Sequence, residues 1–148
     1  MIFYRLERQV SDMLALSRKK NEAIIINNNQ ILCMQRGEGK YDYIANKFEF
    51  PGGKVDDGET YEESLARELM EEMDLKVDVK AEDYFMTVEH DYPDFHITLR
   101  SYICHVDTRE FNMKEHKSFK WLDIKDLKTV EWPAADYPIV EKLQKTMK

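Results

Sequence analysis

Two isoleucine-rich runs, residues 23–26 and 31–35, flank the polar tetrapeptide Asn27-Asn28-Asn29-Gln30. Branched apolar residues on either side of a turn-forming segment predict a β-hairpin. Upstream, Leu6, Val10, Met13 and Leu14 recur at helical spacing and predict a short amphipathic helix over 5–16. A polar loop over 36–42 leads to a further strand at 47–50, which ends at Pro51-Gly52-Gly53. The next element is a helix. Thr60 with Glu63 three residues on has the form of a capping box, and Leu65, Leu69 and Met73, with Ala66 and Met70 beside them, form the stripe expected to pack inward. Strands are predicted near 75–79, 84–89, 96–106 and 118–122. A last helix starts near Pro138, with Ile139, Val140, Leu143 and Met147 on one face. Strands and helices interleave without regular βαβ alternation, so the expected fold is α/β, a mixed sheet with helices packed against it.

Length and composition narrow this further. With 148 residues, 43% of them apolar and 34% charged, the chain suffices for one domain with a real core. That domain is expected over 21–148, behind an N-terminal helical extension at 1–20. No apolar run approaches the roughly 18 residues of a membrane span. The first twenty residues scatter charges where a signal peptide would run apolar, so a cytoplasmic protein without a membrane partner is expected. Cys33 and Cys104 lie in apolar, strand-like stretches without metal-type spacing and are expected to be buried, reduced thiols.

The net charge of −7 has one local source. Nine acids lie between Asp56 and Asp74 against Arg67 alone, and the rest of the chain is nearly balanced. A nucleic-acid polymer is therefore not an expected partner, because no basic stripe is present. A block of acids is ordinarily a solvated face, but the order within this one points elsewhere. Glu68 stands i,i+3 to Glu71 and i,i+4 to Glu72, so three carboxylates leave adjoining turns of one helix face. Like charges at that spacing repel, and a hard divalent cation, Mg²⁺ or Mn²⁺, is the counter-charge that oxygen ligands suit. Arg67 is i,i+4 to both Glu63 and Glu71 and is suited to orient a carboxylate. Gly52-Gly53 permits close approach of backbone to a ligand.

These residues resemble the 23-residue pattern of the Nudix hydrolases, G-x5-E-x7-R-E-U-x-E-E-x-G-U with U bulky and apolar. It is matched from Gly53 through Glu59, Arg67, Glu68, Leu69, Glu71 and Glu72 to Leu75. Asp74 departs from it, standing where the pattern has Gly at a helix C-terminus, which puts local stability in question more than chemistry. The stretch from Ala45 to Lys54, the stretch from Tyr92 to Leu99 and the segment Pro133-Ala134-Ala135-Asp136-Tyr137-Pro138 resemble the MutT-type branch. The resemblance covers roughly 23–143.

The resemblance implies an α/β/α sandwich around a mixed sheet. It also implies Mg²⁺-dependent hydrolysis of a nucleoside triphosphate, oxidised or otherwise modified, to a monophosphate and pyrophosphate. Carried over by position, Gly52 gives a backbone carbonyl and Glu68, Glu71 and Glu72 give carboxylates to metal, with Arg67 orienting them. Glu115 matches a loop glutamate that assists metal binding or serves as base, and the choice of base between Glu68 and Glu115 stays open. Arg36 and Lys54 are expected to contact phosphate, and Asp136 to lie at the nucleobase pocket. His90, His96, His105 and His116 are expected as structural histidines. Residues 1–16 are expected as a packing or homodimer surface. The alternatives are a hydrolase for CTP-like pyrimidines or a nucleotide sugar, and a non-catalytic ligand-sensing module of the same fold.

Overall fold

The computed structural model describes residues 17–147. The helix expected over 5–16 lies outside the described residues, as does the packing or dimer role expected of 1–16. Residues 17–20, read from sequence as part of the extension, belong to the first strand of the domain.

That strand, β1 (Ser17–Asn27), turns at Asn28 and Asn29 into β2 (Gln30–Gln35). Both turn residues have positive φ, 50° and 62°. This is the geometry a two-residue hairpin asks for, and asparagine tolerates it better than most residues. Two short strands follow, β3 (Phe48–Glu49) and β4 (Gly52–Lys54), and then helix α1 (Tyr61–Met73). The remaining elements are β5 (Tyr84–Asp91), β6 (His96–His105), β7 (Ser118–Asp123) and helix α2 (Tyr137–Thr146).

β1 is the hub of the mixed sheet. One edge pairs in parallel with β6 from Ser17–His96 to Ile26–His105. The other is shared by β4, at Lys20–Glu22, and by β2 next to the hairpin turn. β5 extends the sheet beyond β6, and β3 and β7 extend it beyond β2. β4 was not anticipated, because the strand at 47–50 was expected to end at the glycines.

Period-two alternation along β1 sends its residues to two cores. Ile24 and Ile26 join Phe50, Leu99, Trp132, Ile139, Val140 and Leu143 beneath α2. Ala23 and Ile25 join Leu32, Met34, Leu65, Leu69, Met73 and Tyr102 beneath α1. Helices thus cover both faces of the sheet, the sandwich the sequence implied. Met70, placed beside the inward stripe by sequence, faces solvent. No strand forms over 75–79. Leu75 and Val79 are buried in the α1 core, and their alternation with Lys76 and Asp78 reports burial rather than a ladder. Cys33 and Cys104 are free and buried, and burial pushes both thiols up to about 12, so they are inert. Among the described residues no helix is long and apolar enough to cross a membrane.

Candidate active site

α1 begins where Thr60 accepts a hydrogen bond from the Glu63 N–H (3.1 Å) and donates its own hydroxyl to Glu63 Oε1 (3.1 Å). This cap uses Glu63, so the pairing expected between Glu63 and Arg67 is replaced. The Arg67 guanidinium instead takes Glu59 in a bidentate grip, Nε to Oε2 at 2.8 Å and Nη2 to Oε1 at 2.9 Å. Its Nη1 donates to Glu68 Oε1 and Glu71 Oε2, both at 3.0 Å, and Nη2 lies 3.1 Å from Asp56. One arginine therefore organises four carboxylates, a planar fork suited to this task where a lysine would act as a point charge. The hydrogen bonds to Glu59 first, then to Glu68, raise its already high pKa.

The glycines are explained by contact. A Cβ on Gly53 would land on the Glu68 carboxylate, and one on Gly52 would land on the Asn21 carbonyl of the neighbouring strand. β4 thus runs against both β1 and α1 with no room for a side chain at either place.

At its other end α1 stops at Asp74, in the left-handed region with φ 52° and ψ 32°. Asp74 carries a compensation that glycine lacks. Its carboxylate accepts from Asn112 Nδ2 (2.7 Å) and Lys114 Nζ (2.9 Å), bonds that hold it below the usual carboxylate range. The departure from the motif thereby ties the helix end to the β6–β7 loop that carries Glu115.

Beside these acids opens a cavity of about 570 Å³, a size typical of small-molecule sites. Glu68, Glu72 and Glu115 line it, with Gly52, Lys54, Arg36 and Asp136. Arg67 and Glu71 lie outside this lining, and Arg67 Nη1 bridges Glu68 and Glu71. Glu72 is pushed up to about 8 by burial first, then by the hydrogen bond and charge of Glu68 facing it. Two carboxyl groups held together this way are hard oxygen donors whose mutual repulsion a bound cation would relieve. The donor set fits a divalent cation. Among the described residues it is not gathered into a ready cage of three, and Glu68 and Glu71 each keep one oxygen on Arg67.

A second cluster in the cavity was missed by sequence. Glu49, buried on β3, accepts from Lys20 Nζ (3.3 Å) and Arg36 Nη1 (3.4 Å) and meets His116 Nε2 at 2.8 Å. Burial pushes its pKa up, but Lys20, the His116 hydrogen bond and Arg36 outweigh that and hold it at about 2. Arg36 is thus both an ion-pair partner and a cation at the cavity wall. His116 is satisfied by Glu49, as expected of a structural histidine, yet it also lines the cavity. Asp136 occupies the N-cap position of α2 but makes no side-chain cap hydrogen bond; it is 3% exposed and faces the cavity. Tyr92, Phe95, Ile97 and Leu99 add apolar wall nearby, with Arg18 stacked over the Phe95 ring at 4.0 Å.

An α/β/α sandwich with a glycine-cradled acidic helix at the mouth of such a cavity defines a class of metal-assisted hydrolases acting on phosphoanhydrides. Residues 22–142 match the family model described as NUDIX domain, and the chain belongs to that family as a Nudix hydrolase. Enzymes of this family use a divalent metal. Among relatives, the 8-oxo-dGTP diphosphatase of Escherichia coli (strain K12) is 34% identical over 118 residues, covering 80% of this chain and 88% of the relative. The 8-oxo-dGTP diphosphatase of Haemophilus influenzae is 36% identical over 114 residues, covering 77% and 81%. The solution structure of a MutT protein of the Nudix hydrolase family from methicillin-resistant Staphylococcus aureus superposes with a TM-score of 0.68 at 35% identity, covering 87% of this chain and 96% of that one. A MutT protein from Methanosarcina mazei shares the fold, with a TM-score of 0.77 at 23% identity over 89% and 96% of the two chains.

Proposed function

We propose that this protein hydrolyses a modified nucleoside triphosphate, 8-oxo-dGTP or a close analogue, to the monophosphate and pyrophosphate with Mg²⁺, removing damaged nucleotides from the pool. The observation that carries this reading is the joining, in one cavity, of an acidic metal-type wall, a row of cations and a buried polar end. The curated relatives named for 8-oxo-dGTP support the choice of substrate.

Water adds to a phosphorus atom, the bond to the leaving phosphate oxygen breaks, and one proton is released. Glu68, Glu71, Glu72, Glu115 and the Gly52 carbonyl would hold the cation, which when bound neutralises charge on the phosphates. Lys20, Arg36 and Lys54 attract the triphosphate and oppose its growing charge. Glu68 or Glu115, both of which line the cavity, would take the proton of the attacking water. Arg67 holds Glu68 Oε1 and so limits the orientations open to this cavity-lining carboxylate.

Chelation tests the metal role. EDTA is expected to abolish pyrophosphate release, Mg²⁺ or Mn²⁺ to restore it, and metal addition to raise Tm by mass action. Full turnover in excess chelator would contradict the assignment.

Asp136 reads the base in this account, since its ionised carboxylate accepts hydrogen bonds and suits an edge rich in donors. Asp136→Ala is expected to lower kcat/KM for the favoured nucleotide by about 10- to 100-fold, the scale of a hydrogen bond to a charged group, and to flatten the preference across bases. Assays with 8-oxo-dGTP, dGTP, dCTP and dTTP decide it, and an unchanged ranking would remove Asp136 from base reading.

A further inference from the structure

The cavity has a second carboxyl group that the hydrolysis does not use. Glu22 lies on the pocket face of β1, in phase with Arg18, Lys20, Ile24 and Ile26, and is 2% exposed. Its carboxyl group meets that of Asp136, and both line the cavity. Glu22 Oε2 and Asp136 Oδ1 are buried and accept from no other side chain or backbone group among the described residues, so the two carboxyl groups face only one another. Leaving buried polar oxygens unpaired is costly, and two such atoms on touching side chains form an arrangement that lacks its donors. Lys20 and Arg36 are engaged by Glu49 and do not fill the gap.

We propose that Glu22 is a specificity-determining residue. Together with Asp136 it presents two side-by-side acceptors that fit a base edge carrying two adjacent N–H donors. Among the common bases only guanine, and with it 8-oxoguanine, has that edge, a ring N1–H next to the 2-amino group. Adenine and cytosine place their amino group beside a ring acceptor, and thymine and uracil have a single N3–H flanked by carbonyls. The two orphan oxygens are therefore the ends of two hydrogen bonds that a guanine ring completes. Tyr92, Phe95, Ile97 and Leu99 line the same cavity and offer apolar surface for the ring faces. This assignment rests on the nucleotide reading above and names which edge of the base that site takes.

The test separates recognition from turnover by measuring binding of dGMP and dIMP, which differ only in the 2-amino group, by titration calorimetry on the full chain. Hydrolysis of dGTP and dITP is followed in parallel. The wild-type protein is expected to bind dGMP roughly tenfold or more tighter than dIMP. Equal affinities would overturn the proposal without any variant being made. In Glu22→Leu the gap is expected to shrink below about threefold while Tm holds or rises, because a buried acid facing another acid has been replaced by an apolar group of similar size. In Glu22→Gln, which keeps an acceptor, the gap should shrink less than in Glu22→Leu. A Glu22→Leu protein that loses Tm but keeps the full gap would show a structural role and overturn the proposal. Guanine discrimination in binding with no hydrolysis of any triphosphate would count against the proposed activity alone. A flattened ranking in Asp136→Ala with no change in Glu22→Leu would count against Glu22 alone.

Discussion

Glu68→Gln is expected to lower kcat by roughly 10² to 10⁴, the range for loss of a general base or an equivalent charge at the reacting centre. The substitution keeps size, leaves one oxygen able to accept from Arg67 and removes one charge, so the fold should survive it. Three contacts converge on this carboxylate. Arg67 holds one oxygen, the Gly53 backbone passes directly over it, and the Glu72 carboxyl group faces it. Asp57→Asn, at an exposed acid in the same charged block, is the control and should change kcat less than about threefold, since solvent-exposed charge is screened. Steady-state rates with saturating metal and substrate check both. Equal effects would mean that the acidity of the block matters and its geometry does not.

Arg67→Lys is expected to cost about 10- to 100-fold in kcat, the usual scale for groups that orient metal ligands. Lysine keeps the positive charge but has no planar fork, so it holds at most part of the set Asp56, Glu59, Glu68 and Glu71. The loss should be accompanied by weaker Mn²⁺ binding, read by electron paramagnetic resonance, because Glu68 and Glu71 are then free to swing. A variant with normal metal affinity and normal kcat would show that the guanidinium only covers the helix.

The acidic helix was legible in the sequence because its two signals are local. The cap at Thr60 and the stripe Leu65, Leu69 and Met73 depend on residues within four positions of one another, and all of them fall where the spacing put them. The Asn28-Asn29 turn was legible for the same reason. Residues 75–79 misled because alternation reports which side chains are buried and says nothing of whether the backbone has a ladder partner. Met70 stands at the edge of the helix stripe, and where the sheet ends beneath α1 is a tertiary fact.

The candidate site divides along the same line. Arg67, Glu68, Glu71 and Glu72 share one helix and could be read from spacing. Glu22, Lys20 and Glu49 come from three places on two strands, and only the pairing of β1 with β4 and of β2 with β3 brings them to one cavity. A signal for them was present nonetheless. Lys20 and Glu22 lie in phase with Ile24 and Ile26, and Glu49 is a lone acid between Phe48 and Phe50; charged residues in register with a core face mark a polar cavity. Arg67 also shows why position in a motif does not give partners. Its helical neighbour Glu63 is taken by the cap, and Glu59, outside the helix, is the residue it grips.

The central claim is the bond that breaks, and phosphorus-31 magnetic resonance of the products reads it directly. With 8-oxo-dGTP, Mg²⁺ and catalytic amounts of the protein, one equivalent of 8-oxo-dGMP and one of pyrophosphate are expected, with neither signal forming in EDTA. Release of orthophosphate and a nucleoside diphosphate, or no turnover of any nucleoside triphosphate with Mg²⁺ or Mn²⁺ present, would contradict it.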